Sequence, residues 1–165
     1  MSLYDRTVRP FAHGMAAMSA ILTKAEAHCA AKKIDPAVLL NFRLYPDMLP
    51  FTRQVQIATD HARRCPARLT GVDPLPMADT ETSFPELRDR LARSAAHVGT
   101  FAREAFDGAE TRSITFKVGP RDMTFTGGDY LSLFALPNFY FHLTTAYAIL
   151  RHNGVEIGKA DFMGG

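Results

Sequence analysis

From Phe11 to Cys29 the apolar residues Phe11, Met15, Met18, Leu22, Ala25 and Cys29 recur in alternating steps of four and three, the seam of an antiparallel helix bundle. The spacing predicts a first long helix that stops near Lys33, where Asp35-Pro36 caps a short new turn. After a connection carrying Pro46 and Pro50, Phe51, Val55, Ala58 and Ala62 mark a second helix, bent or ended around Pro66 and closed near Gly71. Residues 71–82, with Pro74 and Pro76, read as a surface loop. Ser83-Phe84-Pro85-Glu86 has capping-box spacing and opens a third helix. Its buried face is expected at Leu87, Leu91, Val98, Phe101 and Ala105, with Arg90, Arg93, His97 and Glu104 opposite and Gly108 at its end.

The period then changes. Ser113 to Val118 alternates apolar and polar residues, Met123 to Phe125 does so again, and Gly119-Pro120-Arg121-Asp122 lies between them, which predicts a small hairpin. A hairpin alone is marginal, so it is expected to lie against the bundle. Thr126-Gly127-Gly128-Asp129 supplies a cap for a fourth helix and Gly154 its end. The fold class expected is all-α, an antiparallel four-helix bundle with a small β-hairpin before the last helix, forming one domain over residues 1–165.

The fourth helix contains 21 residues, Tyr130 to Leu150, without a charged side chain. That is nominally enough to cross a bilayer, where about 20 apolar residues suffice. Pro137, Asn138, His142 and two adjacent threonines argue instead for a helix buried in a bundle. At 47% hydrophobic and 22% charged residues the chain is globular, and a net charge of +2 gives no electrostatic reason to bind nucleic acid or an acidic membrane. The first ten residues place Asp5, Arg6 and Arg9 where an export signal needs its apolar segment, so a cytoplasmic location is expected. Cys29 and Cys65 are too few and too far apart for a disulfide framework and read as reduced thiols.

Candidate chemistry centres on Asn138 and His142. Leu131, Ala135, Asn138, His142, Thr145 and Ile149 follow the bundle spacing, so two polar side chains share one inward face. Buried unpaired, each would cost about 1–3 kcal/mol, so both need hydrogen-bond partners, a metal or water. Pro137 removes an amide donor and is expected to kink the helix one turn earlier, exposing a carbonyl. One reading is a satisfied polar pair at a kink. The other is half of a metal site, which needs further ligands, and the second helix offers Asp60 and His61. Imidazole, carboxylate and amide oxygen would suit zinc, nickel, manganese or iron, with Asn138 a poor donor for the softer ions. His13, His28, His97 and His152 read as structural or solvent-facing, and Asp47 with Asp60 lie on different elements. No nucleophile elbow, phosphate-cradling glycine loop or Cys-x-x-Cys motif is present.

Several longer segments resemble one family in order: Ile34 to Asn41, Pro46-Asp-Met-Leu-Pro50, Gln54-Val-Gln-Ile-Ala58, Thr80-Glu-Thr82, Met123 to Gly127, Phe134-Ala-Leu-Pro-Asn-Phe-Tyr-Phe-His142 and Leu150 to Gly158. They look like an uncharacterised bacterial family grouped with the DinB/YfiT-like metalloenzymes. The resemblance implies a four-helix bundle in which three histidines bind a divalent metal, one from the second helix and two, four residues apart, from the fourth. Such bundles include thiol-dependent transferases and isomerases. The shared ending Leu150-Arg-His-Asn-Gly154 places His142 on the second fourth-helix ligand and Asn138 on the first, while Asp60 or His61 takes the second-helix position.

Two functions follow as expectations. One is a DinB-like bundle with a modified or vestigial divalent-metal site at Asp60, His61, Asn138 and His142, its pocket walled by Phe134, Tyr140 and Phe141 and taking a small-molecule ligand in the bundle core. The other is a non-catalytic homodimeric interaction module in which the polar cluster only fixes helix register. Neither involves nucleic acid or a membrane.

Overall fold

Ser2 opens the first helix. Its Oγ accepts the Asp5 amide, and α1 runs over Leu3–Lys32 before Lys33 takes a left-handed conformation at its end. The computed structural model describes residues 1–165. The helix therefore begins eight residues before the seam that predicted it. Leu3, Thr7 and Phe11 continue the stripe by steps of four and are all buried, with the Thr7 hydroxyl donating to the Leu3 carbonyl. A threonine and Pro10 conceal that continuation in the sequence. Tertiary contacts hold the added turns: Arg103 binds the Asp5 carboxylate at 2.8 Å, and its guanidinium lies 4.6 Å above the Tyr4 ring.

Asp35 caps the short α2 (Pro36–Leu40) by accepting the Ala37 amide. The helix α3 (Phe51–Thr70) continues straight through Pro66 to close at Gly71, whose positive φ of 78° suits a left-handed cap. Ser83 accepts the Glu86 amide at the start of α4 (Phe84–Gly99). The Glu86 carboxylate returns to Thr82 rather than Ser83, accepting its amide at 2.7 Å.

Two expectations for the third helix need correction. It ends at Gly99, where Thr100 bonds back to His97 through both its amide and its hydroxyl. Phe101 packs on Phe106, the last residue of a 3-10 turn at Arg103–Phe106, and Phe106 packs on Tyr4, instead of either continuing the helix. Arg90 is also not on a solvent face. It is one of the most buried large side chains in the chain.

The strands β1 (Ser113–Val118) and β2 (Arg121–Thr126) pair antiparallel from Ser113 opposite Thr126 to Val118 opposite Arg121, leaving Gly119-Pro120 as a two-residue turn. Gly119 takes φ 57°, the positive value that the first position of such a turn requires. Thr126 accepts the Asp129 amide and starts the last helical stretch: α5 (Gly127–Asp129), a π segment (Tyr130–Ala135) and α6 (Leu136–His152). A short α7 (Lys159–Phe162), absent from the sequence reading, packs back on α1.

The long helices α1, α3, α4 and the α5–π–α6 stretch form the antiparallel bundle, with α3 packed on α6 and α4, and α1 on α4. One continuous apolar core joins them, from Phe11 and Met15 on α1 through Phe51 and Val55 on α3 to Phe139 and Leu143 on α6. No helix is long and apolar enough to cross a membrane. The two cysteines are free and buried, and burial pushes the Cys65 thiol far up, away from the reactive thiolate form.

Gly127 marks the tightest joint between the hairpin and the bundle. A β-carbon there would overlap the backbone oxygen of Ala109, whereas at Gly99 it would meet nothing. Gly127→Ala should lower stability by about 1–3 kcal/mol through overpacking. Gly99→Ala should leave stability unchanged or raise it. Urea midpoints of the two variants beside the parent check this, and equal midpoints for Gly127→Ala and the parent would contradict it.

Candidate functional site

The helix α3 buries Phe51, Val55, Ala58, Ala62, Cys65 and Leu69. Helical periodicity then turns Arg53, Ile57, Asp60, His61, Arg64 and Arg68 toward the other side, where they form one wall of a cleft of about 460 Å³. Phe116 and Lys117 of the hairpin, Phe134 and Asn138 of the last helical stretch, and Asp79 of the 71–82 loop complete it. Of the four residues singled out in the sequence, Asp60, His61 and Asn138 line this cleft. His142 stands beside it, its ring nearly parallel to that of His61 with centroids 6.2 Å apart.

Asp60 has its carboxylate fully engaged. Its Oδ1 accepts from Arg63 at 2.7 Å and from Arg90 at 2.9 Å, and its Oδ2 pairs with Arg64 at 2.9 Å. Arg90 is the hub of this network. Its Nε donates to the Thr59 hydroxyl at 2.7 Å, Nη1 to the Ala78 carbonyl at 2.9 Å and Glu81 at 3.0 Å, and Nη2 to Asp60 at 2.9 Å and the Gln56 carbonyl at 3.5 Å, with the Asp79 carboxylate paired to Nη2 at 2.9 Å. All five guanidinium donors are thereby used. Burial alone would push the Asp79 carboxyl up, but Arg53 and Arg90 outweigh it and hold that group below the usual carboxylate range.

Asn138 is half-buried at the cleft wall. Pro137 has no amide hydrogen, and the turn before it widens to π spacing, with the Leu136 amide bonding the Leu131 carbonyl five residues back. The expected disturbance one turn before the proline is thus a π segment. The Asn138 side-chain nitrogen donates to the Phe134 carbonyl at 2.7 Å, so its Oδ1 is the free end.

The tautomer of His142 is set by two bonds. Gln54 donates its Nε2 to the Leu49 carbonyl at 3.0 Å, which orients its Oε1 toward His142 Nδ1 at 2.7 Å. An amide oxygen only accepts, so Nδ1 carries the proton and Nε2 keeps its lone pair. His61 makes no hydrogen bond within the protein; its ring packs edge-on against Phe134 at 5.7 Å. Burial and then His142 lower the His61 pKa from 6.5 to about 4; Asp60 pulls the other way, and Arg64 and Arg68 add lesser downward contributions. Burial also lowers that of His142. Two neutral imidazoles therefore face each other at neutral pH.

These side chains do not reproduce a three-histidine metal centre. No group of three or more His, Cys, Asp or Glu side chains is placed to hold a metal ion. The chain offers two imidazoles and one neutral amide oxygen, with the nearest carboxylate already bound by three arginines. Tyr140 and Phe141, expected as pocket walls, do not line the cleft: Phe141 is mostly exposed and Tyr140 lies over Gly14 and Met18 of α1, whereas Phe134 lines the cleft as expected. Asp47 is exposed and away from it.

Residues 3–163 match a family model described as Domain of unknown function (DUF1993). The chain belongs to the DUF1993 family. Among solved structures, this DUF1993 member is similar to a DinB family member protein from Shewanella denitrificans, whose crystal structure covers 99% of this chain and 92% of its own at 44% identity and a TM-score of 0.93. The DinB-like bundle implied by the sequence is thus shown. No curated protein matches the chain.

The sequence reading missed Gln54, Arg90, Arg68 and Lys117. A signal existed for Arg90, since the steps Leu87, Arg90, Ser94 and Val98 also follow three and four and put it on the seam. Gln54 opens the family-like segment Gln54-Val-Gln-Ile-Ala58 and lies about two turns before His61 on the same helix face, but neither sign pairs it with His142.

Both histidines have folded-state pKa values below their unfolded values, so the unfolded chain takes up protons first as pH falls. Their contribution to stability is complete above about pH 6.5 and declines as pH falls from there toward 4. His61→Gln should flatten part of that decline in urea-midpoint profiles. A His61 ring-proton NMR titration should place its midpoint near 4; a midpoint near 6.5 would show that the ring is not desolvated as described.

Proposed function

We propose that this DUF1993 protein binds a small-molecule ligand in the α3–hairpin–α6 cleft, and that His61 and His142 form there a two-nitrogen half-site for a divalent metal, a reduced form of the centre that the DinB resemblance implies. The observation supporting it is the bond from His142 to an oriented Gln54. Metal-binding imidazoles characteristically donate their second nitrogen to such a partner, which fixes the tautomer and keeps the other lone pair available. His61 and His142 would hold the ion, and Asn138 Oδ1 is the nearby oxygen donor. When bound, the ion would act as a Lewis acid on a ligand carbonyl or water. With Asn138 standing where relatives carry histidine, binding is weak and open rather than structural.

Titration of tag-free protein with nickel or zinc, followed by calorimetry, tests this. One weak site is expected, abolished by His61→Ala or His142→Ala and weakened about 10- to 100-fold by Gln54→Leu, which removes only the orienting partner. No saturable binding by the parent, or binding that survives both histidine substitutions, would overturn the reading.

A specific observation favours a second reading, the homodimer with a structural polar cluster. Leu133 and Phe141 are 67% and 59% exposed on the last helical stretch, and Tyr140 and Phe141 share a shallow outer groove with Leu44. Large apolar side chains grouped in this way mark association surfaces. Light scattering should give a dimer at micromolar concentration and a monomer for Phe141→Glu; a monomeric parent would exclude this reading.

A further inference from the structure

We infer that the cleft is a receptor for a small organic anion bearing a carboxylate or phosphate group, gripped by Arg68 and Lys117. The inference rests on the reading that the cleft binds a small molecule, and it does not require a metal there. Arg53, Arg64, Arg68 and Lys117 line the cleft against Asp60 and Asp79. Both carboxylates are already engaged by Arg53, Arg63, Arg64 and Arg90. Arg68 and Lys117 form no ion pair, so cations outnumber free carboxylates along the cleft.

Arg68 is held as a receptor group needs to be. Its guanidinium carbon lies 4.1 Å over the Phe116 ring and 5.7 Å from the centre of the Tyr130 ring, and its Nη1 donates to the Tyr130 hydroxyl at 3.0 Å. Stacking fixes the plane of the fork and the tyrosine fixes its rotation, while the other donors are not spent on the protein. A planar guanidinium with paired free donors matches a carboxylate or phosphate edge. Lys117 follows Phe116 on the hairpin, so its side chain leaves from the opposite face, across from Asp122, and serves the cleft as a mobile charge at its rim. Phe116, Phe134 and Ile57 give the cleft an apolar side, so a carbon skeleton carrying the charge fits it better than a bare inorganic ion.

Succinate and inorganic phosphate serve as probes, titrated at constant ionic strength in the presence of EDTA and followed by amide NMR shifts and calorimetry. Saturable shifts at α3 and the hairpin are expected with succinate, weakened about tenfold or more by Lys117→Met and by Arg68→Met, and retained in His142→Ala. Stronger binding of phosphate than of succinate would assign the site to the phosphate class within the same chemistry. Lys117 is exposed, so its variant remains informative if Arg68→Met fails to fold. Absence of saturation with both probes, or binding indifferent to both cation substitutions, overturns the proposal. Anion binding that persists where metal binding fails leaves it standing and removes only the half-site.

Discussion

Arg90 reaches from α4 between α3 and the 71–82 loop with every guanidinium donor committed, to a hydroxyl and a carboxylate on α3 and to a carbonyl and two carboxylates on the loop. A charge so deeply buried is tolerated only when it is fully paired, because removing an ion from water costs several kcal/mol even after relaxation. The pairing has structural consequences at each end. It ties an otherwise irregular loop down as a wall of the cleft, bringing Asp79 to the rim. It also takes Asp60 out of the pool of free carboxylates, since the oxygen facing Arg90 is shared with Arg63 and the other is held by Arg64. The chemistry available in the cleft is therefore decided from the third bundle helix, which contributes no residue to its lining.

A second constraint acts from the opposite wall. Pro137 cannot donate the amide that a regular helix needs, and the chain absorbs the defect as a π segment rather than a break. Within that segment Tyr130 and Phe134, four residues apart, stand side by side, rings 5.9 Å apart, under Phe116 and Phe125 of the hairpin. A two-stranded hairpin has little stability of its own, so this aromatic cluster is what fastens it to the bundle. Arg68 lies on the same cluster, over Phe116. The proline, the hairpin and the orientation of one cation thus form one mechanical unit.

Much of this architecture was legible in periodicity. Four amphipathic stretches, the hairpin and most helix ends follow from local rules, because Asp35, Ser83, Thr126, Gly71 and Gly154 each act within a few residues of themselves. Failures arose where the deciding partner is distant in sequence. Leu3 to Pro10 are helical because Arg103 and Phe106 pack on Tyr4 and Asp5. Arg90 is buried because three acids from two other segments meet it, and an arginine beside Arg88 and Arg93 gives no local sign of that. The site shows the same division. Asn138 and His142 were visible as polar interruptions of an apolar helix, and His61 as their neighbour. What each does depends on Gln54, Phe134 and the arginines of the Asp60 network, which spacing alone cannot bring together.

The electrostatics of the cleft connect its two proposed ligands. Burial and then His142 lower the His61 pKa most, and Arg64 and Arg68 add smaller repulsions of the kind that would also oppose a divalent cation at that nitrogen. A proton and a metal ion differ in charge and size but compete for one lone pair under one potential. The amide at Asn138 and the arginines on Asp60 act in the same direction, since a neutral amide oxygen is a weak donor and an engaged carboxylate does not offset the charge of an ion. What weakens a metal here strengthens the attraction for an anion, because cations without partners gain most from a ligand that brings its own negative charge. The amide at Asn138 and the unpaired Arg68 and Lys117 thus act in one direction, favouring the proposed acid over the proposed cation.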